Sequence, residues 1–332
     1  MPPRGTHAEE AGMSTERQPG VLRSWLFVPG DSERKQAKAL GGGADALILD
    51  LEDSVDRAQL PEARERVRAL LLAPTRAGRP QLWVRINAPQ SGLWREDLAA
   101  LFQAPGQGSG GSGRQGPDGI VLPKVSSPAE VVAVADHLTG LETERSMGGG
   151  PTGLLVIATE TPRGMLSLPQ YPAVLAAAPA AAARLAGLTW GAEDLGAALG
   201  TRARHDSSGK LTFTFALART TCLLTAAALG VQAIDGVHVD FRDAAGLKRS
   251  LAEARRDGFS GKLAIHPEQV APINAAFTPT AEEQRYARRV IAAFAAAGGA
   301  GVASLDGQMI DRPHLVQARR VLAAGGARAK RE

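Results

Sequence analysis

Eight short apolar runs along this chain each end on polar or charged residues, and their spacing restricts the fold more than any other feature. The runs are Ser24–Val28, Ala46–Leu49, Leu82–Ile86, Gly119–Leu122, Leu154–Ala158, Leu185–Thr189, Ala233–Val237 and Lys262–Ile265. Pro29-Gly30-Asp31, Asp50-Leu51-Glu52-Asp53, Asn87, Pro123-Lys124, Glu160-Thr161-Pro162-Arg163, Glu193-Asp194, His238-Val239-Asp240 and His266-Pro267 follow them in turn. Helical signals separate nearly every pair. Short apolar strands alternating with helices read as βα units on a parallel sheet. Eight such units predict an α/β fold, a (β/α)8 TIM barrel, whose functional residues gather where the strands end.

The chain has 332 residues, more than the roughly 250 a bare barrel needs. The excess lies at the ends. Residues 1–20 are polar, carry no apolar signal-peptide core and read as a disordered leader, with Met13 as a second candidate start. The barrel is assigned to residues 21–277. Residues 278–332 form a C-terminal helical extension, with helices expected at Ala281–Ala297 and Pro313–Ala323. It shows no second core of its own, so it is expected to pack on this barrel or on a neighbour's.

Within the barrel, Pro61 sits near the first turn of a helix running to about Leu72. Ser127-Pro128-Ala129-Glu130 reads as a capping box opening another. Further helices are expected at Asp243–Asp257 and Pro267–Ala276. Gly106–Gly116 and Gly148–Gly150 are flexible loops by composition, and Gly41–Gly43 is a turn. None of these carries a phosphate-loop or dinucleotide glycine pattern.

Charge excludes several functions. Lys and Arg number 38 against 34 Asp and Glu, giving a net charge of +4 that is interspersed along the chain. A pI near 9.5 would permit nucleic-acid binding, but no basic block interleaves with aromatics. No apolar run approaches the ~20 residues of a membrane span. The single cysteine, Cys222, lies in an apolar helical stretch and cannot form an internal disulfide. These features point to a cytoplasmic protein with neither nucleic acid nor membrane as partner.

Glu160 and Asp194 follow the fifth and sixth runs. Adjacent strands lie about 4.8 Å apart, so two carboxylates at their ends reach one point, where they repel unless a cation lies between them. No His or Cys cluster has zinc spacing, and an oxygen-rich pair suits Mg²⁺. The alternative is that each acid pairs with an Arg or caps a helix, as Pro162-Arg163 after Glu160 would allow. Asp50 and Glu52 share a face; they would accept from waters on the metal or from a neighbouring Arg, while Asp53-Ser54 equally fits a cap. Arg85 fits a bidentate clamp for a substrate carboxylate, or a barrel salt bridge to the Asp50 group. Lys124 would neutralise substrate charge or pair with Glu160. His266 reads as a cap at a strand–helix corner more than as a base. Arg23, Arg34, Lys35 and Lys38, around the first βα unit, fit phosphate binding or an ordinary solvated face.

At these residues the chain resembles the citrate lyase β-subunit-like branch of the HpcH/HpaI aldolases, which includes malyl-CoA and citramalyl-CoA lyases. The motifs are Leu26-Phe27-Val28-Pro29-Gly30, Leu49-Asp50-Leu51-Glu52-Asp53-Ser54-Val55, Val84-Arg85-Ile86-Asn87, Val121-Leu122-Pro123-Lys124, Glu160-Thr161-Pro162-Arg163-Gly164, Gly191-Ala192-Glu193-Asp194-Leu195-Gly196, Ile265-His266-Pro267 and Met309-Ile310-Asp311. They occur in family order from about Arg23 to Leu322. The leader, the Gly106–Gly116 loop and Trp190 depart from the pattern.

The resemblance implies a Mg²⁺-dependent barrel enzyme that cleaves or forms a 3-hydroxyacyl-CoA, giving a 2-oxo acid and an acyl-CoA enolate. It implies a homotrimer or a hexamer. It places Glu160 and Asp194 on the metal and makes Asp311, Arg85 and Glu52 the catalytic candidates. Arg85, Asp50 and Lys124 are the candidate substrate contacts, and Arg23 and Lys38 those for CoA. It also implies that the extension reaches over a neighbouring subunit and delivers Asp311 there. Alternatives are a thioesterase or malate-synthase-like outcome, a 2-oxo-acid aldolase without CoA, a citrate lyase complex subunit acting on an acyl-carrier protein, and a non-catalytic 2-oxo-acid binding protein.

Overall fold

The computed structural model describes residues 21–73, 78–103, 116–144, 150–298 and 301–326. The leader, most of the Gly106–Gly116 loop and most of Gly148–Gly150 lie outside them. Eight parallel strands close on themselves in sequence order. They are β1 (Ser24–Pro29), β2 (Ala46–Asp50), β3 (Gln81–Arg85), β4 (Gly119–Leu122), β5 (Gly153–Ile157), β6 (Leu185–Thr189), β7 (Gln232–Asp235) and β8 (Gly261–Ala264). Each predicted run lies within two residues of its strand. Closure pairs Ser24 with Lys262, and β2 sits in register with β3 so that Asp50 faces Arg85.

Alternation along the strands builds two apolar layers. Leu47, Leu49, Val84, Leu122 and Val156 face the surrounding helices. Ala46, Ile48, Trp83, Val121, Leu155, Ile157, Ile234 and Leu263 fill the barrel interior, with Phe27 against them. Trp83 occupies the space that side chains on β4 and β5 would otherwise take. A Cβ on Gly119 would lie 2.2 Å from its ring, and one on Gly153 would lie 2.9 Å away. Trp25 meets Trp83 edge-on, centroids 4.9 Å apart, an arrangement the ring quadrupoles favour. The interior is thus a packed plug and the site can only lie above it.

The helix Leu60–Leu72 carries Pro61 in its first turn, as expected. The helix Pro128–Glu144 also begins where predicted, but Glu130 takes the N–H of Ser126, at 2.8 Å, instead of completing a box with Ser127. His266 caps its corner: Nδ1 accepts the N–H of Glu268 at 3.3 Å, and Gln269 reaches back to close the box.

The C-terminal extension differs from expectation. Between the helices Ala281–Ala296 and Arg312–Gly326 runs an antiparallel hairpin, β9 (Val302–Leu305) and β10 (Gln308–Asp311). Ala287, Val290, Phe294, Ile310 and Ala318 form a small apolar core of their own. Its apolar positions are divided among three elements, so no single stretch of sequence shows it. Among the described residues no helix is long and apolar enough to cross a membrane.

Candidate active site

The mouth of the barrel gathers Asp50, Glu52, Arg85, Lys124, Glu160 and Asp194, linked by the contacts that follow. Arg85, the last residue of β3, points inward over the ring of Phe27, 4.8 Å from its centroid. Its Nε and Nη2 each donate to Asp50 at 2.6 Å. Nη1 lies 3.1 Å from Glu52 and 3.6 Å from Asp53. Burial opposes the guanidinium charge, but the bond to Asp50 holds its pKa well above the ordinary value. The salt bridge considered for Arg85 is therefore present. Asp50 is fully engaged, since it also accepts the N–H groups of Glu52 and Ser54 at 3.1 Å. Gly30 fits beneath, its N–H 2.8 Å from the Asp50 carbonyl oxygen, where a Cβ would strike that oxygen at 2.6 Å.

Lys124 departs from its expected pairing. Its backbone is left-handed, φ 52°, a conformation costly for a residue with a side chain. Three contacts hold it there. Its N–H donates to Glu160 Oε2 at 2.5 Å. Its carbonyl accepts from Gln90 at 3.1 Å. Its ammonium lies 2.5 Å from Glu52, 2.9 Å from Asp53 and 3.5 Å from Asp194. The main chain of Lys124, not its ammonium, therefore binds Glu160. Burial disfavours the ammonium, yet the bonds to Glu52 and Asp53 hold its pKa above the usual lysine value.

Glu160 follows β5 and is 4% exposed. Thr161, not Glu160, caps the next helix by accepting the N–H of Gly164 at 2.9 Å. Gly191 backs the glutamate so closely that a Cβ there would lie 2.5 Å from Glu160 Cγ. Burial pushes the Glu160 carboxyl up to about 8, and the charges of Asp194 and Glu52 add to this. Burial likewise lifts Glu52 to about 7, against the pull of Arg85 and Lys124. Glu52 Oε2 is buried, with the Arg85 guanidinium 3.1 Å away as its ion-pair partner. Asp194 stands in the first turn of the helix Ala192–Leu199, at the mouth end of β6.

Glu160 and Asp194 at one mouth, the first buried and holding a proton near neutrality, fit a hard divalent cation. Its charge would offset both the burial and the repulsion. Among the described residues no three acidic, His or Cys side chains converge on one point. Glu160 and Asp194 would therefore leave most of the coordination shell to water and ligand oxygens.

Other candidates lie elsewhere. Arg23 precedes β1, at the opposite end of the barrel. Its guanidinium is bound to Asp45 at 2.8 Å and to Thr278 at 2.6 Å. Arg23, an expected CoA contact, thus stands at the end of the barrel away from the acidic mouth, its guanidinium engaged by Asp45 and Thr278. Lys38 is exposed in the last turn of the helix Glu33–Leu40, the turn farther from the strand end that feeds it, whereas Arg34 and Lys35 are exposed in its first turns. Asn87 ties the Asp97 carboxylate to the Leu51 carbonyl, at 2.9 and 3.0 Å, and so braces the acidic loop. Asp311 ends β10 in the extension, bonded to His314. Sequence reading did not single out Phe27 and Gln90 as site residues. Alternation along β1 marks Phe27 as inward; nothing local marks Gln90.

A closed parallel barrel with an arginine clamp and a buried carboxylate pair at its mouth defines a barrel enzyme with a site for a hard cation and an anionic substrate. The chain belongs to the HpcH/HpaI aldolase/citrate lyase family, which matches residues 23–267. It is 36% identical to the mitochondrial citramalyl-CoA lyase of Rattus norvegicus over 307 residues, covering 90% of this chain and 85% of the relative. It is 37% identical to the (3S)-malyl-CoA thioesterase of Cereibacter sphaeroides over 308 residues, 92% of this chain and 95% of the relative. The crystal structure of CitE from Mycobacterium tuberculosis with magnesium, acetoacetate and coenzyme A superposes with a TM-score of 0.68 at 32% identity, covering 93% of this chain and all of that one.

Proposed function

We propose that this protein is a Mg²⁺-dependent carbon–carbon lyase that cleaves or forms a 3-hydroxyacyl-CoA thioester of the citramalyl-, malyl- or citryl-CoA type. The products of cleavage are a 2-oxo acid and the enolate of an acyl-CoA. The observation that carries this reading is the buried Glu160, raised to about 8 and facing the Arg85 clamp across the mouth, in a chain similar to lyases and thioesterases of such esters.

Glu160 and Asp194 would hold the ion, which supplies a Lewis acid for the substrate carboxylate and the oxygen next to it. Arg85 screens the carboxylate through Nη1, the edge it shares with Glu52. Lys124 and Glu52 set the charge around the site. Asp311 from a neighbouring subunit takes the hydroxyl proton as general base. The bond between the hydroxyl carbon and the acyl α-carbon then breaks, its electron pair passing to the thioester enolate. No Schiff-base lysine is required. The active form is a homotrimer or a hexamer, with the extension serving as an arm between subunits. CoA enters at the mouth, where Arg34 and Lys35 stand nearer than Lys38. Free CoA is favoured over an acyl-carrier protein because the similar CitE structure contains coenzyme A. The single buried cysteine suits a cytoplasmic setting.

The test is a panel of hydroxyacyl-CoA esters with and without EDTA, following 2-oxo acid, acyl-CoA and free CoA separately. Metal-dependent release of equal 2-oxo acid and acyl-CoA supports the lyase. Free CoA with intact hydroxy acid means hydrolysis, as the name of the Cereibacter sphaeroides relative would have it. Full activity of Asp194→Ala in EDTA would overturn the metal reading.

A further inference from the structure

We infer that His314 is the positioning residue for the base Asp311, an assignment that rests on the proposed role of Asp311. Asp311 closes β10, and His314 stands three residues on, in the first turn of the helix Arg312–Gly326. His314 Nδ1 lies 2.5 Å from Asp311 Oδ1, and the Asp311 N–H points at the same nitrogen at 3.2 Å.

Both Nδ1 and a carboxylate oxygen bear lone pairs, so a 2.5 Å approach is attractive only with a proton between them. With Asp311 ionised, the state a base needs, that proton sits on Nδ1 and is donated to Oδ1; the same nitrogen then cannot accept the Asp311 N–H, so the shorter contact to Oδ1 is the one this tautomer makes. That bond engages one carboxylate oxygen and leaves Oδ2 for a substrate hydroxyl. It also fixes the rotation of a side chain that is otherwise half exposed, at 48%. Ile310, 2% exposed, and Ala318, 4% exposed, anchor the two supporting elements in the small core of the extension. The pair is thus mounted on a braced frame and oriented before a substrate arrives. A base that must first find its rotamer loses rate, since small misplacements of a reacting group are costly.

The experiment uses the full-length oligomer and compares His314→Leu with His314→Asn. Both fill the space, and only Asn returns an N–H near the Nδ1 position. His314→Leu is expected to lower kcat by about 10- to 100-fold with KM within twofold. His314→Asn is expected to recover most of kcat. Asp311→Asn, run beside them, is expected to lose about 10²–10⁴-fold. Wild-type kcat in His314→Leu with an inactive Asp311→Asn overturns the positioning role and leaves the base standing. Equal losses in Leu and Asn variants with lowered melting temperatures also overturn it, by making the contact purely structural. An active Asp311→Asn overturns both assignments.

Discussion

The backbone N–H of Lys124 reaches Oε2 of Glu160 at 2.5 Å across the β4–β5 gap, while the Lys124 ammonium turns toward other acids. Main chain and side chain therefore have separable effects. Lys124→Met keeps the N–H on Glu160 and deletes a positive charge 3.5 Å from Asp194. A unit charge at such range is worth about 1 kcal/mol even in water. Titration calorimetry should show Mg²⁺ binding at least about fivefold tighter, together with weaker binding of the anionic substrate. Weaker Mg²⁺ binding would mean that the ammonium instead holds the acids in place.

Glu160→Gln separates stability from function. With no metal bound, the carboxyl titrates at about 8, so at neutral pH it is already protonated. The amide should therefore fold as well as wild type near pH 7 and still accept from Lys124. The wild-type carboxyl contributes stability fully below the ordinary glutamate value, and this is lost as pH rises through about 8. Metal-free wild type should lose melting temperature over that window, and Glu160→Gln should lose less. Because Mg²⁺ must displace the proton, its affinity for wild type should rise by about tenfold per pH unit below 8. Calorimetry across pH showing a flat affinity would contradict this.

Gly191→Ala tests the packing behind the glutamate. The added Cβ would lie 2.5 Å from Glu160 Cγ, and the carboxyl group must shift. Turnover should fall by about 10²-fold with circular dichroism unchanged. Wild-type turnover would show that Glu160 can be moved without consequence.

Lys262→Met should be mainly a stability variant. Lys262, Asp235, Arg219 and Trp190 form a buried network, with Lys262 2.6 Å and Trp190 2.8 Å from Asp235. Burial pushes the Asp235 carboxyl up, but the charges of Lys262 and Arg219 prevail and hold it below the usual range. Removing Lys262 leaves a buried charge short of a partner, at a cost of about 3–5 kcal/mol, read by denaturant unfolding. In wild type the contribution of Asp235 is present above the ordinary aspartate value and lost as pH falls through its lowered folded value. Acid unfolding of Asp235→Asn should lack that component.

Much of the barrel was legible because each strand carries its own signal: an apolar run, then a polar residue. Glu160, Asp194 and Arg85 sit at strand ends, so their convergence followed from the topology. The left-handed backbone of Lys124 was not legible, because only the combined pull of Glu160, Gln90, Glu52 and Asp53 sustains it. The pairing of Arg23 with Asp45 was not legible, because nearness in sequence to β1 does not say which end of the strand a residue occupies. The hairpin and core of the extension were missed because a four-residue strand such as Val302–Leu305 has too little pattern to register, and its apolar contacts join segments far apart.

Trp83 and Arg85 stand two residues apart on the same inward face of β3. The indole wedged beneath and the guanidinium above are therefore mounted on one rigid rod. Any change that lets the ring settle or rise, even one on β4 or β5, tilts the grip offered to the incoming acid. Selection on what this protein accepts can thus act on glycines that no ligand touches.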